Sequence, residues 1–169
     1  MFRKIEDFVK YYRERSGEVA RLFEDLTDAS LSQVGAAGHR TLGQVAWHIV
    51  QSVPGMARDA GLEVSLKVMG EPVPDHAAHI VGAYRTCVEQ LIEAVQAQWQ
   101  DDMLDGEIEM YGEQWKRGYA LLALVAHEGH HLGQLTVLMR LAGLPVHGIY
   151  GPSKEEWAQY GMEQPADMA

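Results

Sequence analysis

Apolar residues recur every three or four positions along four long stretches of the chain, and polar residues fill most of the positions between them. Because successive residues of an α-helix lie about 100° apart around its axis, this spacing collects the apolar side chains on one face. Each stretch is therefore predicted to be an amphipathic helix with one buried side. The four predicted helices span residues 5–26, 41–56, 77–99 and about 118–141.

Capping and helix-breaking residues indicate where these helices begin and end. Thr41 and Gln44 have the spacing of a capping box at the start of the second helix, and Pro54 is expected to kink or end that helix. Asp75 is the expected N-cap of the third helix. Gly143 follows the fourth helix and is a natural C-terminal stop.

The helical spacing is lost between residues 101 and 118, where partial alternation around Ile108 and Met110 predicts a loop with room for a short hairpin. Further on, Ser153 and Glu156 have the spacing of a second capping box, which predicts a short helix over KEEWAQY. The predicted fold class is all-α. We expect residues 1–169 to form one domain, an antiparallel four-helix bundle with a short extra C-terminal helix.

Composition and charge exclude several classes of protein. The 14 Lys and Arg residues against 24 Asp and Glu residues give a net charge of −10, which argues against binding to nucleic-acid phosphates. The longest apolar run, of about eight residues, falls well short of the ~20 that a membrane helix needs. No signal peptide is indicated, so we expect a cytoplasmic protein with no membrane and no nucleic-acid partner. Cys87 is the only cysteine, which leaves histidine as the candidate soft ligand for a metal.

Three of the eight histidines lie where two helices can bring their imidazoles together. His127 and His131 are one helical turn apart at the flank of the apolar face of the fourth helix, and His48 has the same kind of position on the second. If the two faces meet, three nitrogens can bind one divalent ion and leave open positions for water or substrate. Nitrogen ligands suit Zn, Ni, Cu and Fe, among which we expect Zn or Ni. The alternative is that each histidine is a hydrogen-bonded residue at the edge of the core.

Glu128 is predicted near the middle of the apolar face of the fourth helix, where a carboxylate needs a partner. It can orient a metal-bound imidazole, pair with an arginine of another helix, or act as a catalytic general base. The sequence from His127 to His131 also matches the H-E-x-x-H pattern of zinc hydrolases, but no suitable third ligand follows it.

Polar and aromatic residues of the predicted loops are candidates for the entrance of a substrate pocket. These candidates are His39, Trp115, His147 and Tyr150. His130 is expected to point about 100° away from His131, toward solvent or another helix.

The chain resembles the DinB-like, also called YfiT-like, family of metal-binding four-helix bundles in three segments: TLGQVAWHIVQS, LLALVAHEGHHLGQLTVLMRLAGLPV and SKEEWAQYGMEQP. The resemblance implies that His48, His127 and His131 bind one divalent ion and that the protein forms a homodimer. It also implies relatives that are transferases or isomerases, in which the ion activates a low-molecular-weight thiol such as bacillithiol or mycothiol. The family often has an arginine where this chain has Leu132, so a role for that position does not transfer.

The resulting hypothesis is a divalent-metal-binding protein with an open three-histidine site that acts as a metal-dependent thiol transferase or isomerase on a small-molecule substrate. The first alternative is a bundle that binds or senses a metal or ligand without catalysis. The second is a zinc hydrolase of the H-E-x-x-H class. All three use the same histidines, so the surroundings of the site must separate them.

Overall fold

Four helices make up most of the computed structural model, which describes residues 1–166. They are α1 (Ile5–Glu24), α2 (Leu42–Asp59), α3 (Ala77–Gln98) and α4 (Arg117–Leu141). Both α1 and α2 pack against α3 and α4, so the helices enclose a shared apolar core. The all-α class and the helical bundle predicted from residue spacing are confirmed. No helix within residues 1–166 has the length and the continuous apolar character needed to cross a bilayer.

The start of α2 follows the predicted capping box, whereas its end does not follow the expectation for Pro54. Thr41 Oγ1 accepts from the Gln44 backbone N–H at 3.1 Å, and Gln44 Oε1 accepts from the Thr41 N–H at 2.8 Å. The helix then continues through Pro54 to Asp59. Residues 53–57 are all buried, so packing against the core on both sides of the proline outweighs the loss of one backbone hydrogen bond.

The start of α3 is capped from a distant part of the chain. The prediction that Asp75 is the N-cap is wrong, because His76 occupies that position and its side chain caps no backbone group. The carboxylate comes instead from Asp28, in a short 3-10 helix after α1. Asp28 Oδ1 accepts from the Ala77 N–H at 2.8 Å, and Asp28 Oδ2 lies 2.9 Å from His76 Nδ1. A contact across 49 positions leaves no local signal in the sequence.

The predicted hairpin is present between α3 and α4. Strand β1 (Glu107–Met110) pairs antiparallel with β2 (Glu113–Lys116). The two turn residues, Tyr111 and Gly112, have positive φ angles of 56° and 80°, as a tight two-residue hairpin turn of this twist requires. The hairpin leads directly into α4, so its side chains lie near the start of that helix.

The predicted short C-terminal helix is present as a single 3-10 turn, Trp157–Tyr160, which is shorter than KEEWAQY. Only half of the expected capping box forms: the Glu156 carboxylate accepts from the Ser153 N–H at 2.9 Å, while the Ser153 hydroxyl makes no hydrogen bond within residues 1–166. The same carboxylate oxygen also accepts from the Gly148 N–H. Since no residue of the turn is buried, no apolar face is available to extend it.

Most of the polar side chains that interrupt the core belong to α2 and α4. Three of the five buried polar side chains among residues 1–166, Ser52, Glu128 and His131, lie on these two helices. A buried polar side chain is costly unless it has a partner, so each of these three side chains needs a hydrogen bond.

Gly118 provides a test of the packing at the start of α4. The Phe2 N–H donates to the Gly118 carbonyl at 3.2 Å, and a Cβ on Gly118 would overlap the Phe2 carbonyl oxygen. We expect Gly118→Ala to lower the free energy of unfolding by about 1–3 kcal/mol. Gly82→Ala on α3 is the control, because no atom lies within 4 Å of its added Cβ, and it should raise stability by up to about 1 kcal/mol. Urea unfolding curves that coincide for the two variants would contradict this packing.

Candidate metal centre

Imidazoles from α2 and α4 meet where these helices pack together. One ligand nitrogen from each of His48, His127 and His131 lies within 4.8 Å of the other two, so the three residues can hold a metal ion. The Nε2 atoms of His48 and His127 are 3.2 Å apart. Two nitrogens bound to one zinc ion at roughly 2.0–2.1 Å are themselves about 3 Å apart, so the observed spacing fits a shared ion.

The environment of the cluster favours neutral imidazoles. Burial lowers the pKa of His48 to about 4, and the neighbouring His131, Arg40 and His127 act in the same direction. Burial is also the main cause that lowers the pKa values of His127 and His131. A neutral imidazole has the free lone pair that a metal needs, so at neutral pH few protons have to be displaced for an ion to bind.

Gln134 orients His131 from one turn further along α4. His131 Nδ1 lies 3.0 Å from Gln134 Oε1, and because an amide oxygen only accepts, this nitrogen carries the proton. Nε2 of His131 is then the unprotonated atom. The Gln134 Nε2 group in turn donates to His130 Nε2 at 3.0 Å. Hydrogen bonds of this kind fix the tautomer and the ring orientation of metal-binding histidines.

Ser52 lies on the same face of α2 as His48, one turn later, and is buried beside the cluster. Its hydroxyl donates to the His48 carbonyl at 2.7 Å, and its Oγ is 3.1 Å from His127 Nε2. Neither Ser52 nor Gln134 was singled out from the sequence. The signal was their helical spacing from the histidines, four positions after His48 and three after His131.

Glu128 is buried in the core, where its carboxyl group contacts side chains of α1 and α3. The Tyr84 hydroxyl of α3 donates to Glu128 Oε1 at 3.0 Å, and the Tyr12 hydroxyl of α1 is buried beside the same carboxyl group. Burial raises the pKa of Glu128 to about 7. Within residues 1–166 it forms no hydrogen bond to the three histidines and no ion pair with an arginine, the two contacts favoured from the sequence. A catalytic role for Glu128 stays a prediction.

A cavity of about 510 Å³ opens onto His48 and His127. One wall comes from the hairpin, where Trp115 and Tyr111 have ring centres 5.6 Å apart. The ion pair between Arg58 and Asp59 lies at the end of α2 in the same cavity. The predicted position of Trp115 at a pocket is therefore confirmed by the lining of this cavity.

The other predicted loop residues lie elsewhere. His39 lines a second cavity, which also contains His130. His147 Nε2 is 2.8 Å from the Asp25 carboxylate at the end of α1, and the Tyr150 ring stacks under the Arg15 guanidinium at 5.4 Å. His147 and Tyr150 thus attach the C-terminal segment to α1, and neither lines the cavity at His48 and His127.

Both the sequence and the fold agree with a known family of proteins. The sequence model of the DinB family matches residues 1–166, so the chain belongs to the DinB family. The resemblance inferred from the three sequence segments is confirmed.

Individual relatives agree with this assignment. The chain is 38% identical over 165 residues to the uncharacterized protein YrdA of Bacillus subtilis (strain 168), covering 98% of this chain and 99% of that protein. It is similar to the crystal structure of a DinB-like protein from Bacillus cereus ATCC 10987, with a TM-score of 0.83 and 39% identity over 89% of this chain and 100% of the other. The DinB-like protein YjoA of Bacillus subtilis shares the fold, with a TM-score of 0.66 and 22% identity over 82% of this chain and 95% of the other.

Removal of one imidazole tests the cluster as a metal site. We expect His127→Ala to lower the affinity for Zn²⁺ or Ni²⁺ by at least about 100-fold, because loss of a ligand costs more than loss of a residue that orients one. His79→Ala removes an exposed imidazole from α3 and should leave the bound metal unchanged. Metal content by mass spectrometry after equilibration with a chelator measures both variants. Equal metal content in wild type and His127→Ala would exclude the site.

Substitution of Glu128 tests its buried environment through the pH dependence of stability. Its pKa is higher in the folded protein than the usual 4.5, so its stabilising contribution is complete below pH 4.5 and is lost as the pH rises through about 7. Glu128→Gln keeps an acceptor for Tyr84 but does not ionise. Between pH 4.5 and 8 the stability of wild type relative to this variant should fall by about 3 kcal/mol, measured by urea unfolding of metal-free protein. A constant difference would mean that Glu128 is not held in an apolar environment.

Proposed function

We propose that the protein is a divalent-metal-dependent transferase or isomerase that acts on a small-molecule substrate through a low-molecular-weight thiol. His48, His127 and His131 would hold the ion, for which zinc and nickel are the expected identities. The observation that carries the proposal is the position of the cluster: three uncharged imidazoles lie at the edge of the core, and two of them face a cavity large enough for a small molecule. A closed structural zinc site, by contrast, has four protein ligands.

A divalent ion held by His48, His127 and His131 would lower the pKa of a bound thiol or water and so would supply a nucleophile at neutral pH. The chain itself contributes the orientation of the ligands. Gln134 holds the tautomer of His131, and Ser52 holds the His48 end of the cluster through the backbone carbonyl. Trp115 and Tyr111 form an aromatic wall that contacts the substrate and reduces the access of water.

The thiol in this proposal comes from outside the protein. Cys87 lies on α3, away from the three histidines, and burial raises the pKa of its thiol to about 11. A cysteine of this kind is a poor nucleophile, because the thiolate is the reactive form. The cavity at His48 and His127 is the place where a free thiol and a second substrate would meet.

The surroundings of the cluster favour thiol chemistry over hydrolysis. Hydrolysis by an H-E-x-x-H enzyme uses the glutamate to take a proton from water, whereas the observed hydrogen-bond donor to the Glu128 carboxylate is the Tyr84 hydroxyl. A thiol is a much stronger acid than water, so its activation requires no neighbouring base. The absence of a carboxylate among the contacts of the three histidines within residues 1–166 equally favours the second candidate, a bundle that binds or senses a ligand without catalysis.

Turnover with a panel of thiols separates these candidates. Zinc-loaded and nickel-loaded protein is incubated with bacillithiol, mycothiol or glutathione together with small electrophiles, and products are identified by mass spectrometry. We expect conjugates or isomerised products with at least one thiol, and none with His127→Ala. Thermal stabilisation by a thiol without any product would instead support the binding or sensing role. Cleavage of unstructured peptides by zinc-loaded protein would support the hydrolase.

The homodimer, the small-molecule partner and the cytoplasmic location remain predictions. They rest on the family resemblance and the composition. The homodimer does not enter the proposed mechanism, because all three histidines belong to one chain.

A further inference from the structure

A second cavity, of about 690 Å³, lies between the loop before α2 and the outer side of α4. Its polar lining residues are His39, Arg40, His130 and Gln134. Its apolar surface includes Val137 and Leu138. The established family membership and the proposed metal chemistry assign no role to this cavity.

The charge of this cavity is opposite to that of the protein. The chain has a net charge of −10, yet no Asp or Glu lines the cavity. Arg40 forms no hydrogen bond and no ion pair within the part of the chain that the structure describes. Most other arginines do, as Arg13 with Glu89 and Arg140 with Glu155 illustrate. An arginine without a carboxylate partner beside an apolar surface is suited to a negatively charged ligand.

The cavity adjoins the three histidines through one side chain. Gln134, which lines the cavity, is hydrogen-bonded both to His131 and to His130. A molecule in this cavity can therefore contact a side chain that is itself hydrogen-bonded to a candidate metal ligand.

The hydrogen-bonding groups of the cavity match a carboxylate. The planar guanidinium of Arg40 presents two parallel N–H groups, the arrangement that binds both oxygens of one carboxylate. His130 Nε2 accepts from Gln134, so in the neutral ring Nδ1 carries a proton that is available to a ligand. Val137 and Leu138 provide contact for a short carbon chain. One guanidinium balances a single negative charge, which fits a carboxylate better than a phosphate dianion.

We infer that this second cavity is an anion subsite, in which Arg40 binds the carboxylate of a small thiol or substrate whose reactive atom lies at the three-histidine cluster. The position of the reactive atom rests on the proposed function. The binding of a carboxylate by Arg40 does not, so the two parts are tested separately.

Carboxylate binding is tested without a thiol. Backbone amide resonances of zinc-supplied protein are followed by NMR during titration with propionate, with the uncharged isostere propionamide and with inorganic phosphate. We expect propionate to shift the amides of His130 and Val137 and to bind about tenfold more tightly than propionamide. Arg40→Gln should abolish this preference, whereas Lys10→Gln, which removes the same charge from an exposed position on α1, should keep it. Equal binding of propionate and propionamide, or tighter binding of phosphate, would overturn the carboxylate assignment.

The link to the metal is tested with cobalt-loaded protein, in which a thiolate bound to the ion produces a charge-transfer absorption band. 3-Mercaptopropionate is compared with its amide. We expect the acid to bind about tenfold more tightly than the amide in wild type, and the two thiols to bind equally in Arg40→Gln. If both thiols give the band with equal affinity in wild type, the subsite is wrong and the proposed function stands. If neither thiol gives the band while propionate still binds at Arg40, the proposed function is wrong and the carboxylate site stands.

Discussion

The packing of α2 against α4 determines whether the three histidines can bind one ion. The two helices are held together by apolar residues above and below the cluster, and only along this contact do His48 and the pair on α4 come within bonding distance of one point. The arrangement has a cost, since three imidazoles with lowered pKa values are placed partly out of water beside one another. The packing of the surrounding core must overcome this cost when no ion is present.

Local sequence patterns predicted the helices and the positions of the histidines on them well, because both depend on spacing within a few residues. The capping box of Thr41, the hairpin before α4 and the one-turn separation of His127 and His131 are all of this kind. His48 comes close to His127 and His131 because the apolar faces of α2 and α4 pack together, and no other condition is needed. The spacing of apolar residues and histidines was therefore enough to suggest the three-histidine cluster, and the family resemblance implied that these residues bind one ion.

The partners of individual side chains were harder to predict, because they come from distant segments. Asp28 caps α3 from the loop after α1, and Tyr84 holds Glu128 from another helix. The rotation of α4 about its own axis determines which neighbouring helix each of its side chains contacts. A helical wheel predicts that rotation only to within about one residue. For this reason Glu128 was correctly placed on a buried face but was assigned to the wrong partners. The extension of α2 beyond Pro54 also depends on distant segments. Packing of the buried residues around the proline outweighed the local tendency of proline to end a helix.

The hairpin between β1 and β2 carries the aromatic wall of the cavity, apart from the helices that carry the histidines. The histidines lie on long helices that belong to the core, whereas Tyr111 and Trp115 lie on a four-residue ladder closed by its own tight turn. Mutations in the hairpin can reshape the cavity wall while the helices keep the imidazoles in place. A scaffold built in this way can change the shape of its cavity during evolution by exchanging one small surface element, while the three histidines are retained.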